Sequence, residues 1–281
     1  MNNTFNINRL GKVIKHDAMS FFQNLSLALI VLWAIPVAIW LFSSLTPGDG
    51  HMETLSRISI IGTLLKIIII LAPARLYKYC NDSRKGIGYA MLPASSLEKF
   101  ISMVFYCVIV APVLYLAGAL AVDSVLTLIG GPYEGFAITE YFDKLAQLKH
   151  FGINSGMMLD GDYPVYEEYA KILSPTVMVL SNLLGLLMLS TIFMFGNMVF
   201  KKRKTGKMIG ILVLLFIIFM IVMVNYVSNH EEYFQQLCEE NAAAFFKRLI
   251  YFISRASLVI EAVVSVVMLW LTYYKIKTQK Y

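Results

Sequence analysis

Six apolar runs dominate the hydropathy pattern, at 25–45, 57–77, 97–122, 175–199, 208–228 and 249–274. Each is near the roughly 20 residues a helix needs to cross the hydrocarbon core of a bilayer. Polar connections of unequal length separate them, so the pattern predicts an all-α polytopic membrane protein with six transmembrane helices. Residues 1–24 set Phe5, Ile7, Leu10, Val13, Ile14, Phe21 and Phe22 against Arg9, Lys12, Lys15 and His16. On a helix that spacing separates the two classes and predicts an N-terminal interfacial helix on the inner leaflet. A basic tail that merely orients the first span accounts for the same residues. The expected organisation is a cytoplasmic amphipathic lead-in, 1–24, followed by a six-helix transmembrane domain, 25–281.

The connections carry their own signals. Residues 46–56 hold the turn sequence Pro47-Gly48-Asp49-Gly50. Residues 123–174 are acidic and rich in aromatics, too long for a plain connector. They predict a small external cap between helices 3 and 4, with helix near 138–150 and 164–173. Residues 229–248 read as an amphipathic external helix. Between the second and third spans lies Ala90-Met91-Leu92-Pro93-Ala94-Ser95-Ser96-Leu97-Glu98-Lys99. Pro93 disfavours helix at Leu92, and Ser95 with Glu98 three residues on forms a capping box that starts the next helix. This hinge reads either as a contact surface for a cytoplasmic partner or as a well-capped helix start. As a surface, Arg84, Lys85, Glu98 and Lys99 offer salt bridges, and Met91, Leu92 and Leu97 offer an apolar knob.

The composition, 58% hydrophobic and 15% charged with a mean hydropathy of +0.66, excludes a soluble globular domain of this length. The formal charge of +6 raises the question of nucleic acid, which the charge distribution answers. With both termini cytoplasmic, 16 of the 24 Lys and Arg residues fall inside and 14 of the 18 acidic residues outside. That is the positive-inside signature expected of a multi-pass membrane protein with cytoplasmic termini, and nucleic acid is rejected as a partner. No small-residue cleavage site follows the first apolar run, so the first span is expected to remain in the mature protein. Cys80, Cys107 and Cys238 fall in three different environments and imply neither a disulfide framework nor a metal site.

Chemistry-bearing residues are few. Lys66 in the second span and Glu261 in the sixth come to similar depth, and a charge left alone there costs about 3 kcal/mol. An intramembrane ion pair between them is the expectation. Arg255 snorkels to the outer interface or lines an opening toward it. Ser181 with Gly185, and Gly206 with Gly210, have small-xxx-small spacing. No catalytic residue, metal site or cofactor is expected. His230-Glu231-Glu232-Tyr233-Phe234 lacks the second histidine of a zinc protease helix, and Gly206-Lys207 lacks the upstream glycine of a phosphate-binding loop.

The six spans, the cytoplasmic termini, the basic amphipathic lead-in and the Leu-Pro-Ala-Ser-Ser-Leu-Glu-Lys hinge together resemble the membrane subunits of six-helix ABC exporters, type-2 permeases of Bacteroidetes type. The resemblance implies a permease subunit working as a homodimer or with a second permease. It also implies a separate cytoplasmic ATP-binding-cassette ATPase meeting the loop at 78–99, and helices 1, 2 and 5 facing the transport path. The large external loop between helices 3 and 4 departs from the simplest members. The competing expectation is a non-transporting scaffold, assembly factor or sensor that uses residues 123–174. A secondary transporter ranks third, since midplane charges and broken helices are too few.

Overall fold

The computed structural model describes residues 5–46, 52–80, 89, 91–133, 135–139 and 175–278. Among the described residues no strand occurs beyond a lone bridge between Met52 and Tyr133. The helices are α1 (Ile7–Leu45), α2 (Thr54–Leu76), α3 (Ser96–Val104), α4 (Ala111–Ile129), α5 (Pro175–Val199), α6 (Lys204–Asn229) and α7 (Glu231–Thr278). A π-helical stretch, Phe105–Val110, joins α3 to α4 as one span. Six of these stretches are long and apolar enough to cross a membrane. The chain is an all-α polytopic membrane protein, as its apolar runs predict.

Helix α1 starts at Asn6, whose side chain accepts from the N–H of Asn8, and runs unbroken for 39 residues. The lead-in is thus helical and continues into the first span with no break at residue 24. At about 1.5 Å per residue such a helix reaches well past a hydrocarbon core of about 30 Å. Its buried positions, Val13, Asp17, Phe21, Leu25, Leu29, Leu32 and Pro36, recur almost every fourth residue and form one stripe. That stripe packs on α2, α3 and α4. One face of the lead-in is therefore taken up by protein, while Lys12 and Lys15 stay exposed.

The π-helical stretch has a local cause. Pro112 brings no N–H to the helical ladder, and the wider turn ahead of it lets the N–H of Ala111 reach back to the carbonyl of Tyr106. The third span then runs to Ile129, past the expected end at 122. Gly130 and Gly131, at φ of 83° and 88°, turn the chain there, and the carbonyl of Gly130 accepts from the Trp40 indole at 3.1 Å.

By contact the chain divides into two compact units. The first comprises Met1–Asp143, Leu186–Thr205 and Ser265–Tyr281, and the second Lys144–Gly185 and Gly206–Val264. The first unit's core is built on Phe21, Leu25, Leu29, Leu65, Ile68 and Tyr115. Lipid tails are as apolar as leucine, so helices associate there through close packing more than through exclusion of water. Gly118 is the clearest case: a Cβ at this position would come within 2.2 Å of the Trp33 ring, whose N–H donates to the Tyr115 carbonyl at 3.1 Å. In the second unit, nearly every side chain of α6 from Ile209 to Val227 is exposed, which suits a helix immersed in lipid.

The expected external helix at 229–248 and the sixth span are one helix, α7, of 48 residues. Past residue 139 the expected cap, including almost all of its two helices, lies outside the described residues, as do Arg84 and Lys85.

Candidate functional site

The hinge between α2 and α3 is built around one carboxylate. Ser95 is extended, at φ −70° and ψ 159°, and its hydroxyl accepts from the N–H of Glu98 at 3.3 Å. Glu98 Oε2 accepts from the N–H of Ser95 at 2.8 Å, completing the capping box that the spacing predicts. Its other oxygen accepts from the N–H of Asn6 at 2.8 Å and from Arg9 Nη2 at 3.1 Å. Asn6 is the N-cap residue of α1. A single side chain therefore satisfies the N-cap N–H of two helices and places negative charge at both positive dipole ends.

Lys99 also turns inward. Its ammonium donates to the Tyr89 carbonyl at 2.8 Å and lies 5.2 Å from the centre of the Tyr89 ring. Glu98 and Lys99 are both buried, with Glu98 wholly so. Both charges are already engaged within the chain. The hinge presents Met91, 77% exposed, and Leu97, 39% exposed, with Leu92 half-buried between them. The apolar half of the expected surface faces outward and the described part of its charged half faces in.

Behind the hinge lies a second polar group that periodicity alone does not reveal. Asp17 is 4% exposed and accepts from the Tyr77 hydroxyl at 2.9 Å and the Ser102 hydroxyl at 2.6 Å, with His16 Nδ1 at 3.2 Å from its other oxygen. Asn197 of α5 donates to the Tyr77 carbonyl at 3.2 Å, and Lys204 at the start of α6 donates to the Lys78 carbonyl at 2.8 Å. Residues of five elements, all of them within the first unit, thus meet around the end of α2. Burial, reinforced by the Asp17 carboxylate, holds the Tyr77 proton well past the ordinary phenol range. Burial likewise pushes the Cys80 thiol up to about 12, against the opposing pull of Lys204. The clue in the sequence is that Asp17 falls on the apolar stripe between Val13 and Phe21. A carboxylate there has to find donors among the neighbouring helices.

The other end of the first unit carries a comparable fastening. Arg57, 2% exposed, pairs with Asp123 at 3.0 Å and donates to Thr127 and Thr54 at 3.1 and 3.3 Å and to the Gly135 carbonyl. The Tyr133 ring lies 4.5 Å from its guanidinium carbon. Asp123 accepts in turn from the N–H of Ala137 at 3.2 Å. Burial raises the Tyr133 hydroxyl above its usual range, with the Asp123 carboxylate adding to the shift.

Lys66 is exposed on α2 in the first unit. Glu261 belongs to the second unit, where Ser181 hydrogen-bonds it and its carboxylate lies 3.7 Å from where a Cβ on Gly185 would stand. The small pair on α5 lies against this carboxylate. Among the described residues no group of three or more His, Cys, Asp or Glu side chains is placed to hold a metal ion. No family model, no curated protein and no solved structure matches the chain significantly.

Proposed function

We propose that the chain is the membrane-spanning permease subunit of an ABC-type exporter in the bacterial cytoplasmic membrane. Both termini are cytoplasmic, and a separate ATPase subunit docks on the loop at 78–99. The protomer pairs with a second copy or with a second permease. The observation that carries this reading is the mechanical arrangement of the hinge: an exposed apolar pair, Met91 and Leu97, sits beside a buried glutamate that grips the start of α1. A subunit pressing on that pair acts on a residue joined to two helices at once.

The test is purification of the tagged full chain from its own cells in mild detergent, with mass spectrometry of what accompanies it. Wild type is compared with the variant Met91→Glu/Leu97→Glu. Both positions are exposed, so the variant should keep the wild-type melting temperature. An ABC ATPase that accompanies wild type and is lost from a folded variant supports the permease. No ATPase with wild type overturns the reading and favours a scaffold or sensor working through residues 123–174.

A further inference from the structure

The turn between α5 and α6 gathers Lys201, Lys202 and Arg203, all exposed, with Arg203 in the left-handed region at φ 49°. Lys204 follows directly and ties this turn to the end of α2 through the Lys78 carbonyl, and Lys78 itself is exposed. Next to Lys78, Tyr77 bonds Asp17, which brings in the turn of α1 that exposes Lys12 and Lys15. Six exposed cations therefore share one end of the first unit. The two described carboxylates at this end, Asp17 and Glu98, are buried and engaged with donors of the chain. Among the described residues no exposed acid opposes the positive field.

Exposed apolar side chains lie among these cations: Met19 at 61%, Phe22 at 67% and Tyr79 at 41%. Basic groups interleaved with such side chains at the ends of spans match a phospholipid headgroup layer, where ammonium and guanidinium groups meet phosphate while rings sink toward the acyl chains. A soluble acidic protein would meet the charges and leave these apolar groups without a role.

We infer that the α5–α6 turn, with the adjoining turns of α1 and α2, is a docking surface for the headgroups of anionic phospholipids. Topology alone needs only the count of positive charges on one side of the membrane. A docking surface needs them clustered and unopposed. The inference is independent of whether the chain is a permease.

The full chain in neutral detergent is melted with added phosphatidylglycerol, with phosphatidylcholine, or with free glycerol phosphate. The expected result is that phosphatidylglycerol raises the melting temperature by about 2–4 °C or more above phosphatidylcholine, and that salt removes the difference. Glycerol phosphate does not reproduce it. The variant Lys12→Gln/Lys15→Gln/Lys201→Gln/Lys202→Gln should melt like wild type in phosphatidylcholine and lose the phosphatidylglycerol increment. Equal melting of wild type in the two lipids overturns the inference, as does a full increment in the folded variant or an equal effect of glycerol phosphate. Should the variant fail to fold, the wild-type lipid and salt arms decide.

Discussion

Glu98 is the residue whose removal best separates a working link from a simple helix cap. In Glu98→Ala three donors lose their acceptor: the N–H groups of Ser95 and Asn6, each at 2.8 Å, and Arg9 Nη2 at 3.1 Å. Water can reach the freed N–H groups, because Asn6 is exposed and Ser95 half-buried. Each loss is then worth about as much as an N-cap, roughly 0.5–2 kcal/mol. The Arg9 side chain is 29% exposed, which brings its ion pair down toward the surface value of about 0.5 kcal/mol. The expected total is about 2–4 kcal/mol, on the order of 5–15 °C in melting temperature. Glu98→Gln keeps one acceptor but aims an amide N–H₂ at a donor, so it should fall between wild type and alanine. The assay is thermal unfolding in detergent, followed by tryptophan fluorescence, of Glu98→Ala, Arg9→Ala and the double variant. Arg9→Ala should cost less once Glu98 is gone, by about the worth of their ion pair. A Glu98→Ala melt within a degree of wild type would refute the reasoning, and so would a full additive cost of Arg9→Ala.

Three further outcomes follow from the same packing. Arg57→Met or Asp123→Leu alone leaves a buried charge without its partner and should cost about 3–5 kcal/mol, whereas the double variant recovers most of the loss in the same melts. Gly118→Ala drives a methyl into the Trp33 ring and should cost about 1–3 kcal/mol, with Trp33→Phe in the same chain relieving part of it. Cys80 should resist alkylation at pH 8, because a thiol raised from 9.0 to about 12 holds roughly a thousandth of the usual thiolate and is buried besides; mass spectrometry of iodoacetamide-treated folded and unfolded protein measures this. The sign of the linked pH effect is definite: the folded state keeps the Cys80 proton where the unfolded state releases it. The stability this group contributes is whole below pH 9 and falls as pH rises toward about 12, so alkaline pH should lower the melting temperature.

The six spans were legible because an apolar run of the right length has few alternatives in lipid, where a backbone must satisfy its own hydrogen bonds. The capping box at Ser95 and Glu98 was legible because it is local, involving two residues three apart. What the same carboxylate does with Asn6 and Arg9, about ninety residues away in the chain, has no local signal. Arg57 and Asp123 each read as a charge at the end of a span, and only the antiparallel placement of α2 and α4 brings them together. Asp17 is intermediate: its break in the α1 stripe shows that it is buried, but not that Tyr77 and Ser102 supply the donors.

The inward turn of Glu98 and Lys99 changes how the hinge can work. A surface charge pair is weak and salt-dependent, and a coupling element built on one would slip under load. Here the exposed groups are apolar and short, and the charges lie beneath them, bonded to the backbone of α1 and of the α2–α3 connection. Under the proposed function, force applied at Met91 and Leu97 passes through Glu98 to the start of α1. From there α1 carries it to Asp17, which is bonded to Tyr77 and Ser102, and on to Trp33, which is bonded to the Tyr115 carbonyl ahead of Pro36. Such a path requires a stiff α1. A Gly-Gly pair placed on its exposed side at Gln23 and Asn24 should therefore leave ATPase binding intact while uncoupling ATP hydrolysis from transport. An α1 that merely anchors the chain would tolerate that hinge with transport unchanged.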